Sequence, residues 1–153
     1  MRRSKDVPRY RFERYLCTAA EWRFYAVLKK AVGERFDIML QVRVAAVLRP
    51  RQGAAWVRDG RRVSQKAFDF VLVDKGTSRV RAAIELDDRT HVEPERQRRD
   101  RFLEAACVRA GLPLIRVGVQ AEYRLEDIRD ALDGATGEGA VPATRKSRAR
   151  RCF

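Results

Sequence analysis

The sequence predicts a single α/β domain in which a mixed sheet is flanked by helices. Three observations support this fold class. Two strand-like runs are joined by a short turn, helical patterns lie on both sides of them, and 153 residues suffice for one core. In chain order the predicted elements are α-β-(short α)-β-β-α-β-α. The folded domain is placed at residues 18–133, between a basic arm at residues 1–17 and a disordered basic tail at residues 134–153.

The first helix is predicted to begin after Thr18, because Thr18-Ala19-Ala20-Glu21 has the sequence of a capping box. Gly33 is expected to end the helix. Its apolar face is predicted to consist of Trp22, Tyr25, Leu28 and Val32. A strand at Phe36–Val42 and a short helical turn at Val44–Leu48 follow. Residues 49–66 contain two glycines, a proline and several basic residues, so they are predicted to form a basic loop.

The middle of the chain predicts a β-hairpin. Its strands are Phe68–Val73 and Val80–Leu86, and the turn between them is Asp74–Ser78. Three further elements are predicted after the hairpin: a helix from Pro94 to about Arg109, a strand at Leu112–Val117 and a helix at Leu125–Leu132. The residues of the first of these helices that are expected to face inward are Phe102, Leu103, Ala106 and Cys107, and Gly111 is expected to cap it.

The net charge of +13 is concentrated in three segments. Residues 1–17 carry +4, residues 49–66 carry +5 and residues 134–153 carry +4. Basic arms and loops of this kind favour a polyanionic partner, so we expect a nucleic acid, most simply DNA. The alternative is that the basic arms only keep the protein soluble. The predicted nucleic-acid contacts are Arg49, Arg51, Arg58, Arg61, Arg62 and Lys66.

The apolar and cysteine content predicts a cytoplasmic protein with no membrane partner. No apolar run approaches the roughly 20 residues of a membrane span, and the N-terminus lacks the apolar stretch of a signal peptide. The cysteines are widely spaced and form no CxxC motif, which argues against a disulfide framework or a zinc ribbon. They are Cys17, Cys107 and Cys152.

Each strand of the predicted hairpin carries a carboxylate within an apolar run. Asp69 lies between two phenylalanines, and Glu85 lies between an isoleucine and a leucine, with Asp87 close behind. Burying an ionised carboxylate is costly unless a cation or several donors meet it. Adjacent strands would bring Asp69 and Glu85 together, and such a pair suits Mg²⁺, which prefers hard oxygen ligands. His91, the only histidine, follows a few residues later.

These residues form part of a longer pattern that resembles the PD-(D/E)XK, or restriction-endonuclease-like, nuclease superfamily. The similarity is greatest to its branch of very-short-patch-repair endonucleases and to related bacterial domains. It extends over about residues 18–117. The segments that carry it are Phe68-Asp69-Phe70, Ala83-Ile84-Glu85-Leu86-Asp87, His91, Asp100 and Gly111-Leu112-Pro113-Leu114-Ile115-Arg116.

The resemblance implies a restriction-endonuclease-like core and Mg²⁺- or Mn²⁺-dependent hydrolysis of DNA phosphodiester bonds. The implied metal ligands are Asp69, Glu85, Asp87 and the main-chain carbonyl of Leu86. His91 is the implied proton carrier. Glu21 matches an acid of the first helix that often lies near the site in this superfamily.

The sequence departs from the superfamily pattern at Asp87, where a lysine is usual. An aspartate cannot supply the positive charge of that lysine. Asp87 could ligate a metal instead, with His91 orienting the water. Lys66 is a less favoured substitute for the missing lysine.

Several residues have structural alternatives. Asp69 could form a buried ion pair with Arg116, although we favour Arg116 more generally as the partner of a core carboxylate. Glu21 is explained equally well by the capping box. Asp100 is most simply paired with arginines of its own helix. Glu85 and its acidic neighbours could be a solvated strand end.

Two functions compete with the nuclease. One is a nucleic-acid-binding module that keeps the fold without catalysis, and the other is an interaction domain of a DNA-processing assembly. The oligomeric state is open, with a homodimer as one option.

Overall fold

The computed structural model of the protein describes residues 10–49, 66–87 and 94–137, and for residues 94–99 it describes the backbone alone. Its elements are α1 (Ala19–Val32), β1 (Phe36–Arg43), α2 (Val44–Val47), β2 (Ala67–Asp74), β3 (Val80–Asp87), α3 (Pro94–Ala110), β4 (Leu114–Gly118) and α4 (Leu125–Thr136). Residues 1–9 and 138–153, and the predicted functional residues Arg51, Arg58, Arg61, Arg62 and His91, lie outside the described residues.

The predicted mixed α/β architecture is confirmed. Within the described residues the strands form one sheet in the order β1-β2-β3-β4. The β1–β2 and β2–β3 pairs are antiparallel, and β3 and β4 are parallel. The parallel pair follows from the connection, because α3 carries the chain back across the sheet between β3 and β4.

Helices cover both faces of the sheet. The first core lies between the sheet and helices α1 and α4, and the second core lies between the sheet and helices α2 and α3. Buried members of the first core include Phe24, Leu28, Phe70, Leu72, Ile84, Ile128 and Leu132. Buried members of the second core include Val44, Phe68, Val71, Ala83, Leu103 and Cys107. Of the inward residues predicted for α3, Leu103 and Cys107 are fully buried.

Helix α1 begins at the predicted capping box. The Glu21 backbone N–H donates to Thr18 Oγ1 at 3.2 Å, and the Thr18 N–H donates to Glu21 Oε2 at 2.8 Å. The helix ends at Gly33, whose φ of 53° lies in the left-handed region that glycine tolerates. The prediction that Trp22 belongs to the buried face is wrong, since its side chain is 60% exposed. The buried stripe is centred on Phe24 and Leu28, and at about 100° per residue Trp22 points away from it.

Two element boundaries in the C-terminal half differ from the predicted ones. Strand β4 begins at Leu114 rather than Leu112, because the Leu112 N–H donates to Cys107 O at 2.9 Å and so helps to end α3. Helix α4 continues past Leu132 to Thr136. Its last turn packs Ala135 against the first core, so residues 134–136 are helical rather than part of a disordered tail.

Strands β2 and β3 pair along only part of their length. The ladder extends from the turn to the pair Phe70–Ile84 and stops there. Asp69 and Glu85 are the next residues on the two strands. Beyond this point β3 stays paired with β4 as far as Asp87. The two central strands therefore part at Asp69 and Glu85, and we call this the split end of the hairpin.

Strand β1 is irregular at the same level. The β1–β2 register passes from Leu40 opposite Phe70 to Val42 opposite Phe68 and omits Gln41. Gln41 has a φ of 51°, an uncommon value for a residue other than glycine. On one side of it Leu40 and Phe70 pack in the first core, and on the other side Val42 and Phe68 pack in the second. The side chains of β1 and β2 thus change from the first core to the second beside Asp69, the predicted metal-binding carboxylate of β2.

Candidate functional site

The split end opens into a polar cleft of about 270 Å³. Its lining residues are Lys66, Ala67, Asp69, Glu85, Leu86, Asp87 and Asp100. The cleft thus brings together all four of the predicted metal-ligating residues. It also contains Lys66, which was predicted as a nucleic-acid contact. Arg49 is exposed just after α2, and it is the only other predicted contact within the described residues.

The Asp69 carboxylate takes the place of a backbone carbonyl as hydrogen-bond acceptor where the β2–β3 ladder ends. Its Oδ2 accepts the Leu86 N–H at 2.7 Å, just beyond the last ladder pair of β2 and β3. No lysine or arginine of the described residues forms an ion pair with Asp69, so the alternative pairing with Arg116 is wrong. Burial raises the pKa of Asp69 to about 6, and the neighbouring carboxylates of Glu21 and Asp87 act in the same direction. The hydrogen bond from Leu86 opposes this shift.

Glu21 is both a helix cap and a neighbour of the cleft. Its backbone and side chain complete the capping box of α1. The negative charge of its carboxylate also contributes to the raised pKa of Asp69. The two interpretations of Glu21 are therefore compatible. The capping box holds one more carboxylate beside Asp69.

Arg116 of β4 binds two carboxylates of β3. Its Nη1 donates to both oxygens of Asp87 at 3.1 Å, and its Nη2 donates to Glu85 Oε2 at 3.3 Å. The parallel register explains this, since Glu85 and Arg116 are directly paired. The expectation that Arg116 partners a core carboxylate is thus confirmed. Arg116 Nε is buried and has no hydrogen-bond partner among the described residues.

Glu85 is more enclosed than Asp87, with 13% of its side chain exposed against 28%. Burial raises its pKa, and the positive charges of Arg116 and Lys66 offset part of that shift. The nearby charges of Asp69 and Asp100 raise the pKa further. Glu85 is therefore held in a site where negative charge is incompletely balanced.

Lys66 and Asp100 form an ion pair across the cleft. The Lys66 Nζ lies 2.7 Å from Asp100 Oδ1, and both side chains are largely buried. Asp100 was predicted to pair with arginines of its own helix, yet this partner comes from the residue before β2. The two residues are 34 positions apart. No periodic signal in a sequence reports a contact at that separation.

The charges in and beside the cleft do not balance. Among the side chains that the structure describes, the acids are Glu21, Asp69, Glu85, Asp87 and Asp100, and the bases are Lys66 and Arg116. Five carboxylates against two cations leave an excess of three negative charges when all are ionised. Such an excess in a partly buried cleft favours the binding of a cation.

A divalent ion fits a limited part of this set. Among the side chains of the described residues, no group of three or more His, Cys, Asp or Glu has the geometry to hold a metal ion. Asp87 has both oxygens engaged by Arg116. Asp69 accepts through Oδ2 and Glu85 through Oε2, and within the described residues the second oxygen of each accepts no hydrogen bond. Mg²⁺ is commonly held by one or two carboxylates and several waters, and this pair meets that requirement.

Sequence reasoning missed the contribution of Gln41. The apolar residues at positions 36, 38, 40 and 42 alternate regularly, which hides the change of core that occurs at Gln41. A left-handed residue inside a strand stores strain, and such residues are concentrated at functional sites. Gln41 is therefore part of the framework that shapes the split end.

Comparison with known proteins identifies the family of the chain. Residues 13–135 match the model of a family described as Protein of unknown function (DUF2726). The match includes every helix and strand described above except the last residue of α4. No curated protein and no solved structure matches the chain. Within the described ranges, none of the helices is long and apolar enough to cross a membrane.

Proposed function

The chain belongs to the DUF2726 family, and from that premise we propose that it is a metal-dependent nuclease that hydrolyses DNA phosphodiester bonds. The observation that carries the proposal is the uncompensated carboxylate cluster at the split end, where Asp69 has no cationic partner among the described residues. A fold that needed Asp69 only for stability would be expected to neutralise it. The resemblance to PD-(D/E)XK nucleases supports the same function, since Asp69, Glu85 and Asp87 carry that resemblance and line one cleft.

Asp69 and Glu85 are the proposed ligands of Mg²⁺ or Mn²⁺, together with the Leu86 carbonyl and water. When bound, such an ion polarises the phosphodiester and lowers the pKa of a water molecule. Arg116 keeps Glu85 ionised and oriented through its contact with Oε2. Leu86 does the same for Asp69 by donating its N–H.

Lys66 is proposed to supply the positive charge that the superfamily places at the position of Asp87. Its ammonium group lies in the cleft and partly offsets the raised pKa of Glu85. Asp87 then has a structural task, which is to hold Arg116 by both oxygens. His91 remains the proposed proton carrier. The basic loop at residues 49–66 is proposed to bind the DNA backbone.

A second candidate is a nucleic-acid-binding module of the same fold without catalysis. It is favoured by the Arg116–Asp87 pair, which occupies the position of the usual catalytic lysine. In that case the cleft would bind a cation and the chain would bind nucleic acid, but no bond would be cut. Cleavage assays separate the two candidates directly.

The test is cleavage of plasmid and oligonucleotide DNA with Mg²⁺ or Mn²⁺, comparing Asp69→Asn and Glu85→Gln with the matched control Asp74→Asn. Asp74 lies at the other end of β2 and is paired with Arg81. We expect the first two variants to lose activity by about 100-fold or more, and the control to retain it. A chelator should abolish cleavage by the native protein.

Two results would contradict the nuclease. If the native protein binds DNA but leaves it intact with either metal, the non-catalytic module is the better description. If Asp74→Asn loses as much activity as Asp69→Asn, the loss reflects the strand and not the cleft. Melting temperatures of all variants show whether each is folded.

A further inference from the structure

Trp22 is an exposed aromatic residue held in a fixed position. Its ring stacks on Tyr25 with centroids 5.1 Å apart and an interplanar angle of 25°. Tyr25 in turn stacks on the buried ring of Phe70, at 6.3 Å and 11°. The three rings form a column that runs from the first core to the surface. Trp22 is its outer member, and 60% of its side chain remains in solvent.

The two ends of this column are each next in sequence to an acid of the site. Along α1, Trp22 follows Glu21, whose carboxylate adjoins Asp69. Along β2, Phe70 at the base of the column directly follows Asp69. The residues before α1 also pass the site. Burial raises the pKa of the Cys17 thiol, and the charges of Glu21 and Asp69 raise it further.

The described chain before α1 carries further exposed aromatic and basic side chains. Its exposed large apolar residues are Tyr10, Phe12, Tyr15 and Leu16, each at least 70% exposed. Arg14 and Arg23 are exposed and form no ion pair with a described residue. Large apolar groups that are exposed this close together in sequence are typical of an interaction segment. Aromatic rings interspersed with arginines are typical of surfaces that stack bases and contact phosphates of single strands.

We propose that Trp22 stacks on an unpaired base of a DNA strand whose backbone enters the cleft. This inference rests on the proposed function and narrows its substrate to single-stranded or locally unpaired DNA. A base in a continuous duplex has both faces covered by its neighbours, so it offers no surface to Trp22. The exposed arginines Arg14 and Arg23 favour an anionic nucleic acid over a neutral apolar partner here.

The two tryptophans of the chain, Trp22 and Trp56, allow a direct test. In a Trp56→Phe protein, Trp22 is the only tryptophan, and its fluorescence reports on stacking. We would titrate this protein with short oligothymidylate and with a blunt duplex, in a chelator so that nothing is cut. We expect the single strand to quench the fluorescence to saturation and the duplex to leave it nearly unchanged.

Affinity measurements with labelled DNA complete the test. Trp22→Ala should weaken binding of oligothymidylate by about 5- to 150-fold, the range for loss of one stacked base. The duplex affinity should stay within about two-fold, since the basic loop supplies it. Trp22→Tyr keeps an aromatic ring and should recover most of the lost affinity. Val108→Ala removes an exposed apolar group from α3 and serves as the matched control.

Three outcomes would overturn the inference. In the first, Trp22→Ala binds oligothymidylate as tightly as the native protein. In the second, the substitution weakens single strand and duplex equally. In the third, Trp22 fluorescence depends on protein concentration and sedimentation shows a dimer, so that a second copy of the chain covers the ring.

The stacking inference and the proposed nuclease function can be refuted independently by these experiments. Quenching by oligothymidylate without cleavage in either metal would uphold the stacking role and refute the nuclease. Cleavage without quenching would do the reverse. Asp74→Asn should be quenched like the native protein, because Asp74 lies at the other end of β2 and does not line the cleft.

Discussion

The two ends of the β2–β3 hairpin differ in how completely their acidic side chains are paired with basic ones. At the turn end, Asp74 pairs with Arg81 at 3.6 Å, and Lys75 pairs with Glu34 at 2.5 Å. Two acids there meet two bases. Among the described residues of the split end, three of five carboxylates pair with Lys66 or Arg116, whereas Asp69 accepts a hydrogen bond from the Leu86 N–H and has no cationic partner. Both ends belong to the same pair of strands.

The comparison shows that the fold does not require an unbalanced site. The same strands accommodate an arginine beside Asp74 without difficulty. An excess of buried negative charge lowers stability, so its retention at one end only is better explained by a function than by folding. The turn end therefore provides the internal control for experiments on the split end.

The largest expected stability effect comes from breaking the ion pairs of each end. Arg116→Met leaves Glu85 and Asp87 without their shared cation, and we expect a loss of about 3 kcal/mol in the free energy of unfolding. Arg81→Met removes a single, longer ion pair, at 3.6 Å, and leaves only one carboxylate without its cation, so it should cost about 1 kcal/mol or less. Urea unfolding of both variants measures the difference. Equal losses in the free energy of unfolding would mean that the ion pairs of the split end contribute no more to stability than those of the turn end.

The next effect depends on pH. The folded pKa of Asp69, about 6, lies above its ordinary value of 3.8. The folded state thus binds the proton more tightly than the unfolded state, and stability falls as the pH rises from about 4 to about 6. Asp69→Asn can still accept the Leu86 N–H and carries no charge. It should be more stable than the native protein by roughly 1–2 kcal/mol above pH 6, after allowance for solvent screening.

That advantage should disappear below about pH 4, where the native carboxyl is protonated in both states. Unfolding curves across this range, without divalent ions, provide the measurement. Asp74→Asn is the control from the turn end and should show no such gain. A loss of stability in Asp69→Asn at neutral pH would contradict the charge-excess interpretation.

The smallest effect concerns the backbone. Each end has one residue other than glycine in the left-handed region, Gln41 at the split end and Ser78 at the turn end. Glycine at either position relieves strain but increases the entropy of the unfolded chain. We expect Gln41→Gly and Ser78→Gly each to change the melting temperature by only about 1–3 °C. Only Gln41→Gly should also lower cleavage, since it loosens β1 beside Asp69.

Local signals account for what the sequence could predict. The capping box of α1 and the two strands of the hairpin are each specified within a few residues, and the structure has them where they were expected. The grouping of Asp69 with Glu85 was also accessible, because a hairpin brings its two strands together. Lys66 was correctly placed near the first of those strands.

The rest of the site depends on contacts that a linear pattern does not contain. The pairing of Lys66 with Asp100 joins residues on different elements. The double contact of Arg116 follows from the parallel register of β3 and β4, which no turn determines. Trp22 was assigned to the apolar face of α1 from the helical spacing of apolar residues, whereas the buried stripe of α1 runs through Phe24. His91 stays a prediction, since it lies outside the described residues.

The hydrogen bond between Leu86 and Asp69 has a consequence for spectroscopy. Most strand amides are protected from deuterium exchange by a carbonyl, whose charge never changes. The Leu86 amide is instead held by a carboxylate at 2.7 Å, and such an acceptor weakens when it gains a proton. The exchange rate and the chemical shifts of the Leu86 amide should therefore change with the ionisation of the cleft carboxylates. The exchange rate and the chemical shifts of the Ile84 amide should instead follow the opening of the sheet. One backbone nitrogen thus reports the charge of the site in the intact protein.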